Sequence, residues 1–470
     1  MTTTPPLHHS TAPPRPKPRL GFLPPLLGLL EALGLLAVAF VLWQFFNHSR
    51  MAAILLVPVL LLSFIPYFIA VYVCGHPKAS TTVRAILFFA MIFRLIFLAT
   101  PPELSDDVFR YVWEGRVQNH GFNPYELAPS SEELKPYRDA IYREINHPEI
   151  PAIYPPFAQY VFRVLAWIPH PVGWAKFLFG GIDLLNVWLL IRILQEKKMP
   201  HQLALIYAWN PLPALEFAGS GHFLSLAICL FLAAYYALQR DRQILSAIAG
   251  GLALGTQFLI LPALLHIYNA MKKQWFPVLV LAFAALYVPF LSAGVHLFDG
   301  LSHYGAMWKF NDSLFGLLVK LFDNMQGTLL DSGAYLMYKY PKYIAGIILA
   351  GMGLRFIFQN KDWLRAGYLM TGAFLLLSPT VHPWYVTLIL PFLCFYRNLG
   401  WLAFTALVTI SYTSLVTSRL EGVWPGIALF STRGGGPETL FAGWLEYGPF
   451  FILLAWSAIG LRKQSRSGGS

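Results

Sequence analysis

Apolar runs of about twenty residues recur along almost the whole chain, and nothing else restricts its fold as strongly. The first three occupy roughly residues 20–46, 51–74 and 82–100. A helix of that length crosses the hydrocarbon of a bilayer, where each backbone N–H and C=O must find its partner inside the protein. A closed β-barrel meets the same demand, but with short segments that alternate apolar and polar residues. These runs do not alternate. Of the 470 residues, 56% are hydrophobic and 12% charged, about half the charged share of a soluble domain. The chain therefore reads as an all-α polytopic membrane protein with about 12–14 transmembrane helices.

The net charge of +11 points to nucleic acid in a soluble protein, but here the positive-inside bias explains it and nucleic acid is excluded as a partner. Residues 1–19, rich in Thr and Pro with Arg15, Lys17 and Arg19, read as a disordered cytoplasmic tail. Residues 20–461 form a single transmembrane domain, and 462–470 a second cytoplasmic tail. Three crossings from a cytoplasmic N-terminus make 101–168 a large extracytoplasmic loop with interfacial helices. The link carrying His76, Lys78 and Arg84 then falls inside, as its charge requires. Residues 157–168 are too short and too Pro-flanked to be read as a span, the alternative being that they begin one. The run near 173–194 returns the chain inside at Arg192, Lys197 and Lys198. Arg240, Arg242, Lys272, Lys273, Arg355, Lys361, Arg365, Arg397, Arg462 and Lys463 mark further inner ends. Residues 293–335 and 418–443 form outer links, and 244–270 reads as a pair broken at Gly255–Gln257 and Pro262. Cys74, Cys229 and Cys394 lie far apart in apolar runs and read as core residues.

One segment departs from this pattern. Residues 101–160 hold 10 of the 23 Asp and Glu, with Asp106 and Asp107 adjacent just after Pro101-Pro102. Carboxylates concentrated at a membrane surface are where chemistry is expected. They can serve as general base for an acceptor hydroxyl, as ligands for a divalent cation such as Mg or Mn, or as binders of sugar hydroxyls. A pair that merely caps a helix is the other reading. Asp107, Arg110 and Glu114 share about one helical face, so Arg110 either orients a carboxylate or meets a phosphate. A solvated ion-paired face is the plainer account of Glu114. Gly121 to Tyr125 form a turn whose aromatic either stacks on a sugar or anchors the loop.

Other polar points fall on the same side: His222 after Gly221, Lys309 and Asn311 in the second outer loop, and His382, Trp384 and Tyr385 in a tight turn. Arg419 and Arg433 lie in the last outer link. Together they can line one cleft, with cations suited to a phosphate leaving group. Interfacial Trp and Tyr, and surface His, are the bland alternatives. Within spans, Glu31, Asp183 and Glu216 are functional-site candidates by location alone. Arg192 or Arg163 is the expected partner of Asp183, Glu216 faces the cleft or snorkels, and Glu31 marks a bundle-facing polar spot.

Asp107, Gly121, Pro124, Tyr125, Tyr154-Pro155-Pro156, Trp209-Asn210-Pro211, Gly221-His222, Phe310 to Phe315, and Ser378-Pro379 with His382 to Tyr385 form an ordered set. The set resembles the GT-C superfamily of membrane glycosyltransferases, above all the polyprenyl-phosphate-mannose-dependent mannosyltransferases and, at longer range, the GPI mannosyltransferase that adds the first mannose. The resemblance implies a GT-C-type bundle in the cell membrane. It implies transfer of a mannose-like hexose from a polyprenyl-phosphate-linked donor to a glycan, glycolipid or polypeptide acceptor on the extracytoplasmic face, with inversion. It makes Asp107 the base, with Asp106 second because the family often has Asp-x-Asp. It makes Arg110, Glu114, Tyr125, Tyr154, His222, Lys309, Asn311, His382, Trp384 and Tyr385 candidates for substrate contacts. Two positions depart from the family's pattern: Phe223-Leu224 where relatives often have Asn-Asp, and Thr256-Gln257 where they often have a Lys. A transporter or flippase of lipid-linked saccharides is the competing reading. It would place its charges near the midplane in broken helices and would show an inverted repeat, and no repeat is visible.

Overall fold

The computed structural model describes residues 23–74, 81–329, 334–359, 362–420 and 437–467. The N-terminal tail, His76, Lys78, Lys361, Arg433, the Arg419 side chain and residues 468–470 lie outside the described residues. Among those described, regular structure is helical throughout, and β-pairing is limited to one isolated bridge between Phe310 and Thr380.

Helices α1 (Leu23–Phe46) and α2 (Arg50–Cys74) form an antiparallel pair, followed by α3 (Val83–Leu98). Thr82 caps α3 by accepting the Ala85 N–H at 3.2 Å, and Pro101-Pro102 follow its end. The following segment forms α4 (Asp107–Asn119), α5 (Ala140–Glu144) and α6 (Pro156–Leu165) before the long α7 (Pro171–Glu196). Residues 157–168 form a ten-residue helix and its exit turn rather than the start of a longer helix. Next, α8 (Leu205–Ala208) and α9 (Pro211–Pro213) lead into a π-helical turn, Ala214–Gly219, and a break before α10 (Leu224–Gln239). The two arms of this pair are bent by 119°.

The second half continues with α11 (Gln243–Thr256), α12 (Leu261–Ala270), α13 (Phe276–Ala285), α14 (Asp299–Met307) and α15 (Leu314–Leu329). Then come α16 (Ala334–Gln359), α17 (Trp363–Leu377), α18 (Pro383–Val386) and α19 (Leu390–Leu393). Last are α20 (Leu399–Leu407), α21 (Thr413–Leu420) and α22 (Pro437–Ser467). Among the described residues, five helical stretches are long and apolar enough to cross a membrane, or up to seven if each of two bent pairs is one span. Shorter apolar helices make up much of the remainder, among them the two halves expected near 244–270. The protein is therefore an all-α polytopic membrane protein.

Inside the bundle, a buried ion pair joins α3 to α7. Asp183 on α7 accepts two bonds from Arg94 on α3, from Nη2 at 2.6 Å and Nε at 2.9 Å, and a third from the Tyr207 hydroxyl. Arg94 Nη1 also donates to the Ala208 carbonyl at 2.6 Å. The expected partners, Arg192 and Arg163, are not used. Arg192 lies nine residues along α7, about 13 Å of helix rise away, and Arg163 belongs to the short helix α6. Glu31 is fully buried on α1, a bundle-facing position. All three cysteines are buried and unpaired.

The segment between α3 and α7 is fastened down by a close helix crossing and a buried polar cluster. A Cβ on Gly115 of α4 would sit 2.1 Å from the Phe162 carbonyl oxygen of α6, so only glycine permits this approach. Next to it, Glu114 accepts from Arg110 Nε at 2.7 Å and Gln159 Nε2 at 2.5 Å, and Gln118 Nε2 donates to Gln159 Oε1 at 2.9 Å.

Candidate active site

The loop, the break before α10, the 309–320 segment, the turn at 382–385 and α22 enclose a cavity of 1690 Å³. Helix α4 begins at its wall. Ser105 Oγ accepts the Asp107 N–H at 3.3 Å, so neither aspartate caps the helix with its own side chain. Asp106 instead accepts from Asn146 Nδ2 at 2.6 Å. Asp107 lines the cavity with its side chain 22% exposed. Its Oδ2 accepts from the Tyr111 hydroxyl at 3.3 Å and lies 3.7 Å from His222 Nδ1. Burial, followed by the charge of Asp106, pushes the Asp107 carboxyl up to about 7, against the opposing pull of Tyr111 and Arg110.

His222 comes from the break between the two bent arms. The turn needs Gly221 there: its φ is +80°, and a Cβ would meet Val108 at 3.0 Å. His222 is 1% exposed. Its Nδ1 lies 3.3 Å from the Tyr111 hydroxyl and its Nε2 3.4 Å from Glu216 Oε2. Glu216 is fully buried, and its Oε1 accepts from the Tyr412 hydroxyl.

One wall is a stack of four rings. His222 lies on Trp384 at 3.9 Å, Trp384 on His382 at 4.3 Å, and His382 on Phe310 at 4.7 Å. Both faces of Trp384 and of His382 are thereby covered, so neither ring can stack on a sugar through its face. Tyr385 shares a hydroxyl hydrogen bond of 2.8 Å with Tyr304. Tyr154 packs edge-on against Tyr111 at 5.3 Å.

Of the twelve residues singled out in the sequence, ten line the cavity. Tyr125 and Glu114 do not. Tyr125 donates its hydroxyl to the Tyr154 carbonyl at 2.6 Å and packs on Phe290, so it anchors the turn. Glu114 is 2% exposed and occupied by Arg110 and Gln159. Arg110 borders the cavity, yet it is also committed to the carbonyls of His147 at 3.2 Å and Ile150 at 2.5 Å. Asn311 holds a left-handed φ of 51° and ties the wall to α22. Its Nδ2 donates to Glu446 Oε1 at 2.7 Å, and its carbonyl accepts from Tyr447 at 2.7 Å. Lys309 faces Asp312 at 3.8 Å. Among the described residues, no three His, Cys, Asp or Glu side chains converge as a metal set.

Residues 28–287, more than half of the chain, match the family described as alpha-(1->6)-mannopyranosyltransferase, N-terminal domain. The chain belongs to the alpha-(1->6)-mannopyranosyltransferase family. No curated protein matches it. In this mannopyranosyltransferase-family chain, the matched region supplies Asp106, Asp107, Tyr111, Glu216 and His222. Lys309, Asn311 and the His382–Tyr385 turn complete the cavity from beyond it. Sequence reasoning passed over Tyr111, Tyr304 and Lys320, all of which line the cavity. Tyr111 was detectable from its i+4 spacing to Asp107. Tyr304 and Lys320 carried no local signal.

Proposed function

We propose that this glycosyltransferase takes a hexose, mannose by family, from a polyprenyl-phosphate-linked donor and places it on an acceptor hydroxyl in the outer cavity. One observation carries the reading: Asp107 reaches the cavity with a carboxyl raised to about 7, near the range suited to a general base. Asp107 takes the proton of the acceptor hydroxyl. The freed oxygen attacks the anomeric carbon from the face opposite the phosphate, and the lipid phosphate leaves with the bonding pair, inverting the centre. Lys309 and Lys320, both on the cavity wall, meet the phosphate. Leu317, Val319, Trp444, Phe451 and Ile452 give the same cavity an apolar side that suits the first prenyl units. Tyr154 and Tyr385 offer hydroxyl-bearing rings to the sugar or acceptor.

In this reading, the GT-C-type domain runs from 20 to 461 with 101–168 as its catalytic outer loop. The tails at 1–19 and 462–470 lie in the cytoplasm, and the site opens on the extracytoplasmic face of the cell membrane. Asp106 and Asp107 turn to different partners, Asn146 and Tyr111, and among the described residues no set of three metal-binding side chains forms there, so no step of this reading is routed through a Mg or Mn ion. The test is transfer of labelled mannose from polyprenyl-phosphate-mannose by purified protein in lipid, with and without chelator. Asp107→Asn is expected to keep the fold and lower kcat by about 100-fold or more. A wild-type rate in that variant would remove Asp107 from its role. Movement of the intact lipid-linked sugar across vesicles without transfer would favour the flippase instead.

A further inference from the structure

Two polar atoms in the wall of this site face each other in the apolar interior. Glu216 Oε2 and His222 Nε2 are both buried, neither has a hydrogen bond within ordinary limits, and they stand 3.4 Å apart. Buried polar atoms without partners are costly, so a pair at this distance is expected to close when one of them carries the shared proton. The other side of His222 leads outward: Nδ1 is 3.3 Å from the Tyr111 hydroxyl, which is itself 3.3 Å from Asp107 Oδ2. Four side chains from two parts of the sequence thus form one line from a sealed carboxyl to the cavity.

We propose that Glu216 is a positioning residue for Asp107, acting through the tautomer of His222. This rests on Asp107 being the base. When the Glu216 carboxyl is neutral, it donates to His222 Nε2. The imidazole then carries its hydrogen on Nδ1 and donates to the Tyr111 oxygen, and Tyr111 donates to Asp107. Every donor points outward and Asp107 is held as the anion. When Glu216 is ionised, the line reverses. Nε2–H donates to Glu216, Nδ1 accepts from Tyr111, and Asp107 loses its donor and keeps a proton. The two arrangements hold the same number of protons and differ only in which carboxyl is ionised.

The Tyr412 hydroxyl donates to Glu216, Ser220 faces it, and the charge of Asp107 acts on it. Trp384 covers one face of His222, with neutral-ring neighbours His382 and Tyr111 beyond. Arg110, Asp106 and Glu114 are the charged groups that act on Asp107, with Tyr111 its bonded neighbour.

The experiment is the pH profile of kcat/KM for transfer from polyprenyl-phosphate-mannose. Glu216→Leu removes the inner donor, and His222→Phe removes the link while leaving a ring to stack on Trp384. Each is expected to move the acid limb upward by about one pH unit, because Asp107 loses stabilisation of its ionised form. Glu216→Gln, which keeps a neutral donor, is expected to return the limb toward its wild-type position. In the His222→Phe background, Glu216→Leu should move it no further. A limb that stays put in both Glu216→Leu and His222→Phe overturns the proposal, as does a Gln variant shifted as far as the Leu variant. His222→Phe decides the matter if Glu216→Leu fails to fold. Failure of the base assignment reads differently: Asp107→Asn would then remain active, whatever the limbs do.

Discussion

Asp107 and Asp106 are adjacent in sequence and opposite in setting. Asp106 turns to Asn146, while Asp107 turns to Tyr111 and the cavity. The charge of Asp106 helps raise the Asp107 carboxyl. Removing it in Asp106→Asn favours the ionised form of Asp107, lowers its pKa, and makes the base available at lower pH. The acid limb of kcat/KM is therefore expected to move down from about 7, the opposite direction to the His222 variant. The place of Asp107 on the cavity was legible because acids are rare in this chain and gather in one loop. The role of Tyr125 was not. A turn aromatic looks the same in sequence whether it meets a sugar or, as here, gives its hydroxyl to a neighbouring carbonyl.

At the level of elements, two glycines set where helices meet. Gly115→Ala forces α4 away from the Phe162 carbonyl. We expect it to cost about 1–3 kcal/mol, read as a lower thermal midpoint in detergent. Gly221→Ala adds a Cβ at positive φ and against Val108, displacing His222. Transfer should fall by about 100-fold, far more than the small change in thermal midpoint. An equal loss in both would make Gly221 a folding residue only. Hydropathy located α1, α2, α3 and α7 closely because each is one long apolar helix or nearly so. The polar Gly219-Ser220-Gly221-His222 link marks the break in the 211–239 run, but hydropathy could not show that its two arms bend by 119°, because the π-helical turn before the link is as apolar as a regular helix.

For the whole molecule, the pairing of Arg94 with Asp183 joins α3 to α7 in the buried interior. Losing one partner strands the other, so Arg94→Leu alone is expected to cost about 3–5 kcal/mol. The double variant Arg94→Leu with Asp183→Leu should recover most of that, because no charge is left buried. Thermal unfolding of the three proteins in one detergent checks this, and a double variant no better than the single would refute it. This pair was hidden from the sequence because its members are 89 residues apart and Arg94 sits within an apolar run. The same distance problem hid the ring stack, which draws on residues 222, 310, 382 and 384.

That stack also orders events during synthesis. The carboxylates and His222 leave the ribosome more than 150 residues before Trp384. Until the last helices are inserted, the imidazole has no ring against it and the cavity lacks a wall. On the proposed reading, a chain stalled anywhere short of that turn holds its acids without the wall that lets them act, and stays silent until translation is nearly over.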